Sequence, residues 1–122
     1  MLEAQVHDRP GYKILKLVGE LDTSTVSICR EWFAAVSCTE RLVIDLSRVP
    51  FIDSAGVGAL IGGVRRLREQ GGEVAVACGR SSIAGALHTI RLDDLVPVAD
   101  GIDDAAAELR SDQDQPVTAI GP

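Results

Sequence analysis

One hydroxyl in this chain stands where chemistry would favour a phosphate. Asp53-Ser54 comes after an apolar run, Leu42-Val43-Ile44, carried on by Asp45-Leu46 and broken at Ser47-Arg48-Val49-Pro50. Phe51-Ile52 is a brief extended piece, and a helical pattern begins immediately after Asp53-Ser54. The continuous apolar run reads as a strand buried on both faces, as in a parallel sheet with helices above and below. Either Asp53 or Ser54 supplies the oxygen that satisfies free backbone N–H groups at the helix start. The Ser54 hydroxyl thus lies at the C-terminal edge of a sheet and at the positive end of a helix.

Other candidate chemistry is sparse. Asp22, Asp45 and Asp53 are the acids that their strands bring toward one sheet edge. Three carboxylates could hold a magnesium ion. Alternatively, Asp22 and Asp53 cap their helices and Asp45 bonds the neighbouring loop. His7 and His88 belong to no nucleophile–base arrangement. No Gly-x-Gly-x-x-Gly follows a strand, and no Gly-Lys-Ser/Thr is present. The chain therefore reads as a non-enzyme that calls for no cofactor. Cys29, Cys38 and Cys78 form no Cys-x-x-Cys pair and lie far from either histidine, which gives a zinc site little support. They read as reduced, mostly buried thiols.

The helix behind Ser54 must both bury a face and leave one bare. At 100° per residue, Val57, Leu60, Ile61, Val64 and Leu67 share an arc of roughly 120°. Ser54 borders that arc. Ala55, Gly58, Ala59 and Gly62 lie beyond it, turned from the core, with almost no side chain. Each interior glycine costs roughly 0.5–1 kcal/mol relative to alanine, so a close neighbour is expected on this face. It is either a partner or another helix of the same fold.

Bulk properties narrow the classes. The 122 residues suit one domain. With 46% apolar but only 3% aromatic residues, the core must be built from Val, Leu, Ile and Ala. A net charge of −6 argues against a nucleic-acid surface, which needs clustered basic residues. Arg65, Arg66 and Arg68 are few and read as a solvated helix face. No stretch is long enough to span a bilayer, and the N-terminus lacks a signal pattern, so a cytoplasmic protein is expected.

In chain order, Leu2, Ala4 and Val6 alternate weakly, as in an edge strand. Arg9-Pro10-Gly11 turns, and Tyr12 to Val18 alternates cleanly, giving a β-hairpin. Asp22-Thr23-Ser24-Thr25 offers several caps for a helix to about Val36. The Leu42 strand and the Ser54 helix follow, the latter ended by Gln70-Gly71-Gly72. Glu73 to Cys78 is a further buried strand. Ser81 or Ser82 can cap a third helix carrying Ile83, Leu87 and Ile90. Leu95 to Val98 is a short last strand with Pro97 at an edge, and Asp103 to Arg110 a last helix. Residues 1–110 thus form an α/β sandwich: a mixed, mostly parallel sheet that opens with an antiparallel hairpin and packs with about four helices. Residues 111–122 are polar and aperiodic, and are expected to be a disordered tail.

Asp53-Ser54-Ala55-Gly56-Val57 after an apolar strand resembles the Asp-Ser-Ser/Ala-Gly-Leu/Val signature of the STAS family, whose stand-alone bacterial members are anti-sigma factor antagonists. Gly19-Glu20-Leu21-Asp22 and Asp45-Leu46-Ser47 resemble two further family motifs, and the likeness runs from about Val6 to Leu109. It implies a STAS-type sandwich and a partner-switching regulator of transcription. Such a protein binds an anti-sigma factor that is also a serine kinase, is phosphorylated at the motif serine (here Ser54), lets go, and is reset by a serine phosphatase. The partner-binding residues so implied are Asp22, Asp53, Ser54, Ala55, Gly56, Gly58 and Gly62. The alternative is a STAS scaffold or accessory subunit of a signalling or transport complex. One departure stands out: where the family often has glycine-leucine after the third helix, this chain has Arg91-Leu92, so the bend there needs another solution.

Overall fold

The computed structural model describes residues 1–37, 39–79 and 83–109. Its centre is one five-stranded sheet in the order β1-β2-β3-β4-β5. β1 (Glu3–Arg9) and β2 (Tyr12–Val18) form the antiparallel hairpin, with Val6 opposite Leu15. β3 (Arg41–Arg48), β4 (Glu73–Ala77) and β5 (Val98–Ala99) then add in parallel, so that Leu15, Ile44, Val76 and Val98 form one row across the sheet. β3 is the middle strand and is buried from Leu42 to Leu46, as its unbroken apolar run requires.

Each strand sends alternate side chains to opposite faces, which makes two cores. On one face Leu15, Leu17, Leu42, Ile44 and Leu46 pack under α1 (Val26–Ala35) and α2 (Ser54–Glu69). On the other, Ile14, Val43, Ala75 and Ala77 pack against Ala105, Ala106 and Leu109 of α5, residues 102–109. The two layers are an α/β sandwich. With α3 (Ala84–Thr89) and α4 (Leu92–Leu95), the described residues hold five helical segments, one more than the sequence suggests.

That extra helix corrects the expected last strand. Leu95 closes the α4 turn and only Val98–Ala99 is paired as a strand, with Pro97 just outside and its carbonyl accepting from Val76 N–H at 2.9 Å. The turn between α3 and α4 is made by Arg91 itself. It adopts φ 62°, ψ 40°, the left-handed conformation glycine would supply, and among the described residues is the one non-glycine that does so. Its backbone N–H reaches the His88 carbonyl at 3.0 Å, and its guanidinium pairs with Asp94 at 2.8 Å.

Cys29 and Cys78 are buried, unpaired thiols; burial pushes Cys29 up to about 11 and raises Cys78 as well. Cys38, the expected caps Ser81 and Ser82, and the expected tail lie outside the described residues. No described helix is long and apolar enough to cross a membrane.

Candidate functional site

Ser54 is held by two loops that run side by side. One links β2 to α1 and the other β3 to α2. Gly19 N–H donates to the Arg48 carbonyl at 3.1 Å, Leu21 N–H to Phe51 at 3.0 Å, and Asp53 N–H returns to Leu21 at 3.2 Å. Leu21 and Ile52 form a small parallel bridge, a continuation of the β2–β3 pairing past the ends of both strands. Leu21 is fully buried beneath it. Backbone groups are thus satisfied loop to loop, which rigidifies the place where α2 starts.

Asp53 completes the clasp. One carboxylate oxygen accepts from Gly56 N–H at 2.9 Å, the side-chain cap of α2. The other accepts both the N–H (3.1 Å) and the hydroxyl (3.2 Å) of Thr23 in the opposite loop. These bonds, the one from Gly56 first, hold Asp53 below its ordinary carboxylate range. Asp22 is also lowered, mainly by the hydroxyl of Ser24, which donates to it at 2.7 Å.

The structure therefore settles which residue caps the helix: Asp53, leaving Ser54 as the first helical residue. Ser54 is exposed, and no group among the described residues bonds its hydroxyl. The expectation that Asp22 caps α1 is corrected. Its carboxylate closes the turn before the helix through Ser24, and α1 begins after Thr25 with no side-chain cap. Buried Thr25 instead ties that turn internally, donating to the Glu20 carbonyl at 2.9 Å and accepting from Asp22 N–H at 3.0 Å.

Asp45 does not join the other two acids. It is buried within β3 and accepts from Ser47 N–H at 3.0 Å. Among the described residues, no three metal-ligating side chains come together.

Along α2 the small residues divide into two kinds. Gly58 and Gly62 are exposed, and a Cβ added to either would meet no other described part of the chain within 4 Å. Ala59, expected on this bare face, is instead buried, as is Gly63, where a Cβ would strike the Phe33 ring at 2.5 Å. Gly63, with no side chain, lets the Phe33 ring of α1 approach α2 closely. Gly56 is buried too, and a Cβ there would overlap the Leu21 carbonyl oxygen. Ala55 is half-buried.

Two contributors went unread in the sequence. Thr23 could not be singled out from its polar neighbours without knowing that it faces Asp53. Phe51, 48% exposed in the loop ahead of Ser54, had a signal: it is one of only two phenylalanines.

Residues 2–105 match the STAS domain family. The chain belongs to that family. This STAS domain is 30% identical over 112 residues to the anti-sigma F factor antagonist of Paenibacillus polymyxa, an overlap of 88% of this chain and 95% of the relative. The crystal structure of an anti-sigma factor antagonist from Mycobacterium paratuberculosis has a TM-score of 0.81 to this STAS domain at 28% identity, covering 90% of this chain and 95% of that one. A sulfate transporter family protein from Wolinella succinogenes shares the fold with a TM-score of 0.68 at 20% identity, over 80% of this chain and 83% of the other. The STAS fold thus occurs in more than one setting, and the site has to carry the functional argument.

Proposed function

We propose that this STAS domain is a cytoplasmic anti-sigma factor antagonist switched at Ser54. Unmodified, it binds an anti-sigma factor that is also an ATP-dependent serine kinase, and the bound sigma factor is displaced. The kinase transfers the γ-phosphoryl group of ATP to Ser54 Oγ, the bond to the β-phosphate breaks, and ADP leaves. The modified protein lets go, and a serine phosphatase restores it by hydrolysis.

One observation carries this reading. Asp53 has taken over the capping of α2, so the Ser54 hydroxyl is exposed and uncommitted at the helix start. The same bonds make Asp53 a poor proton acceptor, since its carboxylate is occupied on both oxygens and held in its ionised form. The base that takes the serine proton therefore comes from the kinase. Asp53 positions the serine rather than activating it. Asp22, Ala55, Gly58 and Gly62 border the surface that a kinase must cover to reach Ser54, with Phe51 as an added apolar contact. Gly56 serves that surface from beneath, through its contact with Leu21.

The test is intact mass after incubation with each ATP-binding anti-sigma factor of the source organism and ATP. One phosphate on the native protein and none on Ser54→Ala is the expected result. A phosphate on another residue, or none with any of the kinases, overturns the reading and leaves a STAS scaffold as the alternative.

A further inference from the structure

Between α1 and α2 lies a cleft of about 150 Å³ lined by Arg30, Phe33, Gly58, Ala59, Gly62 and Arg66. That is well below the roughly 300 Å³ at which pockets begin to hold small organic ligands, but it is enough for one side chain. Its lips are cationic although the chain carries a net charge of −6. Lys13, Arg41 and Arg91 have acidic partners within the fold. The guanidinium groups of Arg30 and Arg66, both exposed, form no ion pair or hydrogen bond among the described residues. Between them the floor is Gly58 and Gly62, where no described residue beyond the helix's own backbone comes within 4 Å of a Cβ position.

We infer that this cleft is a carboxylate clamp: Arg30 and Arg66 grip an aspartate or glutamate side chain of the kinase that acts on Ser54. The inference rests on the reading under Proposed function and adds to it the chemistry of the partner. Charge complementarity names the occupant, because a guanidinium pairs with a carboxylate through two parallel hydrogen bonds. Continuity supports it as well. Ser54, Gly58, Gly62 and Arg66 recur at four-residue intervals, all exposed, so one strip of α2 runs about 18 Å from the hydroxyl to the clamp. That length exceeds the screening distance of about 8 Å at physiological salt. A phosphate on Ser54 therefore acts on the complex independently of the clamp, and the two effects multiply.

The experiment measures affinity for, and Ser54 phosphorylation by, each purified ATP-binding anti-sigma factor of the source organism. The proteins compared are wild type, Arg30→Glu/Arg66→Glu and Arg30→Lys/Arg66→Lys. Charge reversal should weaken binding about tenfold or more and slow phosphorylation, mostly through association at low salt, while the lysine pair, which keeps the charge but loses the parallel hydrogen bonds, should fall between the reversal variant and wild type. Gly62→Glu, which has room to fold, should mimic the loss by offering Arg66 a carboxylate of its own. Reversal variants that bind like wild type overturn the clamp alone. A wild-type protein that none of the kinases binds overturns the underlying reading, and the clamp with it.

Discussion

The carbonyl oxygen of Leu21 occupies the space that a Cβ on residue 56 would need. Leu21 belongs to the loop before α1 and Gly56 to the first turn of α2, so this contact joins the two halves of the site. Gly56→Ala should force the loops apart and cost about 1–3 kcal/mol, the range seen for overpacking. Chemical denaturation measures the loss, and amide exchange at Leu21 and Asp53 should quicken more than at β4.

Glycines further along the same helix should behave in opposite ways. Gly58→Ala and Gly62→Ala meet open space and remove backbone entropy from the unfolded chain, so each should stabilise by up to about 1 kcal/mol. Gly63→Ala would press on the Phe33 ring and should destabilise. Melting temperatures of the three variants check the pattern; a loss of stability for Gly62→Ala would mean that its face is packed after all.

Arg91 carries a backbone conformation that costs an L-residue about 1–2 kcal/mol. Arg91→Gly removes that strain but gives up an exposed ion pair with Asp94, worth about 0–1 kcal/mol. The variant should be as stable as the parent or slightly more so. Arg91→Val, whose branched side chain tolerates this region poorly, should be clearly less stable.

Strong acid should loosen the clasp. Asp53 is held below its ordinary value of 3.8, so its contribution is complete above that pH and fades as the pH falls through the lowered one. Asn at this position can still cap Gly56 but cannot accept from Thr23 with its amide nitrogen. Asp53→Asn should therefore be less stable than wild type at neutral pH, with the difference closing in acid. Asp8 and Asp22 are lowered too and keep an acid limb in both proteins.

Phosphorylating Ser54 adds about −1.5 to −2 charges. The start of α2 favours that charge by roughly 0.3–1 kcal/mol, while the neighbouring Asp53 carboxylate opposes it, so the fold should hardly notice. In a complex, a charge buried without a partner costs on the order of 2–5 kcal/mol, about thirty-fold to several thousand-fold in affinity. Ser54→Asp should fold normally and bind the kinase far more weakly. Ser54→Ala should bind and not be released by ATP. Calorimetric titration of both variants decides the point.

The strand–helix alternation was legible because each element carries its own period. The β3 run, the β1–β2 hairpin and the start of α2 all stand where local residue types demand. Pairings between distant residues were not legible. Thr23 with Asp53, Leu21 over Gly56 and Phe33 against Gly63 all depend on which loops and helices become neighbours, and no local pattern records that. The division among the small residues of α2 was missed for the same reason: helical spacing places Ala59 beside Gly58, and only contact with α1 separates them. The α4 turn was overlooked because four residues are too few to establish a period.

Strands that follow one another across the sheet in chain order also leave the ribosome in that order. Each new strand adds to an edge already made, with no later strand to be slotted between earlier ones. The hairpin, β3 and both loops around Ser54 precede residue 70, so the Ser54 region can assemble on a nascent chain. Its far side cannot close so soon. Val43, Ala75 and Ala77 wait for residues 102–109 to cover them, so a ribosome stalled before that point would present a built Ser54 loop on a sheet with one sticky face.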